Sequence, residues 1–247
     1  MAEERIAVVT GGSSGIGAAT VRRLRAEGFA VIAGARRLDR LRDVCEPVGA
    51  TAMPLDVTDR SSVESFCEQA GQCDVLVNNA GGALGLAPIA ESDDGHWRAM
   101  WESNVFGLML MTRALLPHLL ASGNGHIVNI GSIAGIETYP GGAGYTSVKH
   151  AARAISHTLR LELVGKPVRV TEIDPGLVET EFSVVRFDGE TARAAKVYEG
   201  LTPLTADDIA DCIAWAVTRP KHVNIDEMVV RPLAQARATI VARNVGL

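Results

Sequence analysis

The chain has 247 residues, 47% of them hydrophobic, with a formal net charge of −5 and no block of Lys and Arg. That length and apolar content support one large domain with its own core, and the charge argues against a nucleic-acid surface. The four cysteines, Cys45, Cys67, Cys73 and Cys212, form no CxxC pair and have no histidine cluster beside them. No metal site or disulfide framework is therefore expected, and reduced thiols fit a cytoplasmic protein.

In chain order, Met1-Ala2-Glu3-Glu4-Arg5 carries no signal-peptide pattern and leads into a first strand. Near-continuous apolar runs predict strands over 5–10, 30–34, 52–57, 74–78, 126–130, 168–173 and 228–230. Helical patterns lie between them at 16–27, 37–47, 61–70, 97–122, 144–163 and 206–218. The apolar stretch 105–120 is interrupted by Arg113, Pro117 and His118, which makes it too short and too charged for a membrane span and fit for a buried or interface helix. Strand–helix alternation with strands apolar on both faces predicts a single-domain α/β fold, a doubly wound seven-stranded parallel sheet flanked by helices on both faces. One domain is expected over 1–247. The stretch 177–203 shows no clean strand and reads as an irregular lid over a binding site.

The run Thr10-Gly11-Gly12-Ser13-Ser14-Gly15-Ile16-Gly17 follows the first strand and opens the first helix. Gly11 permits a tight turn, Gly15 a close approach of backbone to pyrophosphate, and Gly17 close helix–strand packing, with the helix N-terminus facing the phosphates. The second strand ends in Arg36 and Arg37, with no acidic residue before Asp39. A guanidinium fork at that point suits a 2′-phosphate, so NADP(H) is the expected cofactor. The alternative is that both arginines are solvated and Asp39 faces the ribose. Asp56, with Val57 at the end of the third strand, either meets the adenine edge or caps a turn. Tyr145 and Lys149 stand at i and i+4 of one helix. An ammonium beside a phenol lowers the phenol's pKa and makes it a usable proton donor and acceptor.

Further motifs fall after successive strands: Asn78-Asn79-Ala80-Gly81, then Asn104 in the long helix, Ser132 in Asn129-Ile130-Gly131-Ser132, and Pro175-Gly176 with Val178 and Thr180. With the glycine loop and the Tyr145/Lys149 pair, this set resembles the short-chain dehydrogenase/reductase family over about residues 5–232, a Rossmann fold. The resemblance implies that Tyr145 exchanges the substrate proton and that Ser132 hydrogen-bonds the same substrate oxygen. Lys149 would lower the Tyr145 pKa and hold the nicotinamide ribose, and Asn104 would hold a relay water. Asn78, Ala80 and Gly81 would line the adenosine side. Pro175, Gly176, Val178 and Thr180 would meet the nicotinamide carboxamide or a phosphate.

Two regions, 172–187 and 220–235, are similar to the NADP-dependent 3-hydroxy acid dehydrogenases that oxidise serine and related small acids. A 3-hydroxy acid needs a cation for its carboxylate, and Arg186 is the candidate in the lid. The expected function is thus hydride transfer between NADP(H) and a small hydroxy or oxo substrate. The alternatives are reduction of a larger aldehyde or ketone in secondary metabolism, or a non-catalytic NADP(H) sensor. The apolar helices 97–122 and 144–163 imply a homodimer or homotetramer, with no nucleic-acid or membrane partner.

Overall fold

The structure is a computed structural model describing residues 4–245. Met1–Glu3, read above as leading into the first strand, and the last two residues of the expected 1–247 domain lie outside the described residues. Seven parallel strands form one sheet in the order β3-β2-β1-β4-β5-β6-β7. They are β1 (Ile6–Thr10), β2 (Ala30–Ala35), β3 (Thr51–Pro54), β4 (Val75–Asn78), β5 (Gly125–Ile130), β6 (Val168–Pro175) and β7 (Glu227–Val230). The order reverses between β1 and β4. A crevice opens there beyond the carboxyl ends of the strands, where open α/β sheets bind their ligands.

The helices are α1 (Gly15–Ala26), α2 (Leu38–Cys45), α3 (Arg60–Ala70), α4 (Asp94–Trp101), α5 (Gly107–Ala121), α6 (Ala143–Glu162), α7 (Phe182–Arg186), α8 (Thr191–Tyr198) and α9 (Ala206–Val217). On one face of the sheet, Val21 and Leu24 of α1, Leu41 of α2 and Ile209 and Ile213 of α9 close a core over Ala7, Val9, Val31 and Val77. On the other, Phe66 of α3 and Leu110, Met111, Leu115 and Leu119 of α5 bury Val8, Leu76 and Ile127. Strand residues of alternating parity thus serve opposite cores, which is why the strands carry no polar face.

Three expectations need correction. The third strand stops at Pro54 rather than 57, because Asp56 and Asp59 turn the chain. Asp56 Oδ1 accepts from Thr58 N at 3.0 Å and from the Thr58 hydroxyl at 2.7 Å, and Asp59 caps α3 through Ser61 N at 2.9 Å. The long helix starts at Asp94, capped by Asp93 accepting from His96 N at 2.8 Å, and contains a π turn at Glu102–Phe106. Over Asp94–Ala121 it meets the length and hydropathy of a membrane span, and half of its apolar window is buried inside the fold. The lid is also more regular than expected. It holds α7 and α8, too short for their periodicity to be visible in the sequence, and Tyr198 clips them together by bonding Ser183 Oγ at 2.8 Å and donating to Val178 O at 2.9 Å.

Candidate active site

At the head of the crevice the glycine loop is anchored to the second strand through its backbone. Gly11 N and Gly12 N donate to Gly34 O at 2.8 and 3.2 Å. Gly11 and Gly15 both adopt positive φ, at 68° and 53°. A Cβ on Gly17 would meet Gly11 O and Asn79 Nδ2, so the helix can approach the strand only with glycine there. Ser14 precedes α1 without a side-chain cap bond, which leaves the first N–H groups of that helix free for phosphate oxygens. Thr180 of the lid packs across Gly15, its Cβ 3.4 Å from where a Gly15 Cβ would stand.

The positive end of the site is larger than the sequence reading made it. Arg37 donates to Ser14 Oγ at 2.7 Å and reaches the lid residue Glu181 at 3.1 Å, while Arg40 bonds both Glu181 oxygens at 2.8 and 3.0 Å. Arg36 is exposed and makes no hydrogen bond or ion pair among the described residues. Asp39 is almost wholly exposed and pairs with Arg42 at 3.4 Å, one turn along α2 and away from the loop. Arg40 was not anticipated; its position three residues after Arg37 on one helix is the signal that could have found it.

Asn78 is committed to the core rather than to the cofactor side. The buried Asn78 amide donates to Thr112 Oγ1 at 3.0 Å and Asn129 Oδ1 at 2.9 Å, tying β4 to α5 and β5 instead of facing adenosine. Its neighbour Asn79 donates to Thr10 O at 2.9 Å and Gly11 O at 3.3 Å, and Thr10 Oγ1 accepts from Asn79 N and Ala80 N at 3.0 and 2.9 Å. The 79–81 segment is thereby fastened to the glycine loop. Asp56 serves the turn described above through Oδ1, and Val57 is buried against Gly107 at the start of α5.

The four residues expected to be catalytic come from three elements. Asn104 lies in the π turn, buried, with its amide spent on Gly82 O and Met100 O, both at 2.9 Å. A Cβ on Gly81 would strike its Oδ1. The Asn104 side chain therefore shapes the 81–82 loop, and π turns of this kind recur at functional sites. Ser132 follows β5, its backbone N–H donating to Asp174 Oδ1 at 2.8 Å. Tyr145 sits in the first turn of α6, its ring 5.5 Å from that of Phe182. Lys149, one turn on and buried, donates to Ile130 O at 2.9 Å.

Lysine does not set the tyrosine's titration in the way the spacing suggested. The Lys149 ammonium is turned to Ile130 O, 5.8 Å from the Tyr145 ring centroid. Burial, with Tyr139 next, pushes the Tyr145 phenol up, opposed by a hydrogen bond from Ser132 and by the Arg186 charge. Burial draws Lys149 down to about 8, against Glu172 and Asp174, which hold it up. Arg186 is a second cation at the same ring, with its guanidinium carbon 5.8 Å from the Tyr145 ring and 5.6 Å from the Tyr139 ring. It donates to Gly85 O at 3.1 Å and to the Tyr139 hydroxyl at 3.3 Å, so the lid is pinned to the 82–86 loop across the site.

Residues 5–191 match the family model described as short chain dehydrogenase. The chain belongs to the short-chain dehydrogenase family. It is 57% identical over 236 residues to an uncharacterized oxidoreductase of Mycobacterium tuberculosis, covering 96% of this chain and 94% of that one. It is 43% identical over 240 residues to the NADP-dependent 3-hydroxy acid dehydrogenase YdfG of Salmonella typhi, covering 94% and 97% of the two chains. The closed form of a serine dehydrogenase complexed with NADP+ superposes with a TM-score of 0.92 at 40% identity, over 96% of this chain and 99% of that one.

The protein is thus an NADP(H)-dependent oxidoreductase of this family acting on CH–OH groups. The residues present fit the cofactor. The uncapped α1 terminus and the Gly17 cradle suit a pyrophosphate, and Arg36, Arg37 and Arg40 suit a 2′-phosphate.

Proposed function

We propose that the enzyme transfers a hydride between NADP(H) and a small 3-hydroxy acid or its oxo form. The observation that carries this reading is Arg186, brought by the lid over the Tyr145 ring at 5.8 Å, with Nη1 left without a hydrogen bond among the described residues. A guanidinium held there by Gly85 O and Tyr139 suits a carboxylate one carbon removed from the reacting CH–OH. The likeness to 3-hydroxy acid and serine dehydrogenases supports the same substrate class.

When bound, NADP(H) supplies or accepts the hydride. Tyr145 Oη gives its proton to the forming alkoxide, or takes the alcohol proton in the reverse direction. Ser132 Oγ donates a hydrogen bond to the same oxygen, and Lys149 keeps positive charge behind the phenol. Phe182, Tyr139 and the 82–86 loop exclude water from the transfer.

Initial rates of NADP+ reduction with both enantiomers of serine and with 3-hydroxyisobutyrate test the assignment. Arg186→Ala is expected to raise KM for the acid about 10–100-fold, the worth of a charged hydrogen bond, while NADPH binding stays unchanged. No turnover of any hydroxy acid by the wild type, or an unaltered KM in the variant, sinks the reading. NADPH-dependent reduction of bulkier aldehydes or ketones would then mark a carbonyl reductase on the same frame.

Assembly as a homodimer or homotetramer is part of the same proposal. Phe106 at the start of α5 is 45% exposed and Leu161 at the end of α6 is 76% exposed, apolar surface on the two helices expected to meet a second copy. Light scattering is expected to give a multiple of the 26.1 kDa chain mass, and a monomer at micromolar concentration would refute it.

A further inference from the structure

Glu172 and Asp174 lie two residues apart on β6, on the same side of the strand and fully buried beneath the Ser132 loop. A Cβ on Gly131 would collide with both Asp174 Oδ1 and Glu172 Oε1, so the two carboxyls converge on one point under the backbone that carries Ser132. They lie within hydrogen-bond reach of each other. Of their four oxygens, only Asp174 Oδ1 has a partner, the Ser132 N–H at 2.8 Å. Asp174 Oδ2 and both Glu172 oxygens are orphaned and out of contact with water. Ser156 faces Glu172 but donates its hydroxyl to Ala152 O at 3.0 Å.

Two ionised carboxylates in that position would leave three buried acceptors unsatisfied and two like charges in contact, which is costly. We propose that Glu172 and Asp174 share one proton, and that this singly charged pair positions Ser132 and supplies the counter-charge for Lys149. The proton sits on Asp174 Oδ2 and is donated to Glu172, so Asp174 Oδ1 stays free to accept from Ser132. No bond other than the hydrogen bond is made or broken. Burial pushes both carboxyls up, and the Glu172 charge pushes Asp174 further, to about 8, while the hydrogen bond from Asp174 draws Glu172 back down, in line with one proton held on Asp174 at neutral pH.

The groups facing the pair agree with a net charge of minus one. From α6 come Lys149, Arg153 and His157, and Tyr145 lies above; from β7 comes Glu227, in register with Glu172. Arg153 is committed to Glu227, with Nη2 at 2.6 Å, and His157 lies 3.9 Å from the same carboxylate. Lys149 is left as the cation that the pair serves. Glu172 and Asp174 are positioning residues, acting on the substrate only through Ser132 and Lys149.

The pair predicts an infrared signature in the wild type that needs no substrate. At neutral pH a carbonyl stretch of an un-ionised carboxylic acid is expected in the wild type and is absent from the double variant E172Q/D174N, so it stands out in their difference spectrum. Its absence overturns the proposal, and this readout stands even if the double variant fails to fold, because labelling wild-type Asp with ¹³C shifts the same band. In the folded double variant, Lys149 loses its counter-charge. The pH at which turnover falls on the alkaline side is then expected to move down by about one unit, with kcat lowered and KM for substrate within about twofold. A profile superimposable on wild type overturns the proposal. Failure of the wild type to oxidise any hydroxy acid would count against the substrate assignment above while leaving the infrared result in force.

Discussion

Tyr145→Phe is expected to lower kcat by about 10³-fold or more while leaving NADPH affinity within about twofold of wild type. The ring is buried and packed against Phe182, so phenylalanine fills the same volume and only the hydroxyl is lost. That hydroxyl is hydrogen-bonded to Ser132 and lies in the field of the Arg186 charge. Burial keeps its proton on at neutral pH. The phenol is therefore a donor ready for reduction, and in the oxidative direction it depends on the surrounding charges to let the proton go. Steady-state rates in both directions, with NADPH fluorescence titration alongside, give the comparison. Retention of more than about a tenth of wild-type kcat would place the proton donor elsewhere.

Gly17→Ala is expected to destabilise the fold by about 1–3 kcal/mol and to weaken NADPH binding by at least about 100-fold. The added methyl meets Gly11 O and Asn79 Nδ2. Neither can yield cheaply. Gly11 belongs to the turn hydrogen-bonded to Gly34 O, and Asn79 is tied to Thr10 O. Relief of the clash must shift the α1 terminus away from the strand, and with it the N–H groups available to the pyrophosphate. Thermal melting and cofactor titration measure the two effects. Gly82→Ala is the matched control, because nothing lies within 4 Å of its Cβ position. Equal behaviour of the two variants would mean that the close approach at Gly17 does not hold the site.

The sheet was legible because its strands carry apolar residues on both faces and its connections fit helices. The glycine loop was legible because its spacing sits between β1 and α1. Ser132 was marked by its position after a strand and the Tyr145/Lys149 pair by its i, i+4 spacing, whereas Arg186 was one of three cations in the lid, with Arg193 and Lys196. The electrostatics were not. The i, i+4 spacing put Lys149 on the same face as Tyr145, but the ammonium turns to Ile130 O, and a rotamer choice of that kind depends on a carbonyl nineteen residues away in sequence. Asn78 and Asn79 are adjacent and chemically identical, and only the parity of β4 decides which amide enters the core and which reaches the glycine loop.

The amino-acid sequence by itself determined the order of the strands and of the longer helices, the family and the nicotinamide cofactor, since these follow from local pattern and from motif spacing along one chain. Tertiary structure alone decided which groups share an environment. It placed Arg186 over Tyr145 from the lid, joined Glu181 to Arg37 and Arg40 across the cofactor crevice, and stacked Glu172 and Asp174 under Ser132. The physical reason is that charge interaction and desolvation depend on distance and burial in three dimensions, and residues 41 to 144 positions apart acquire both only when the sheet assembles.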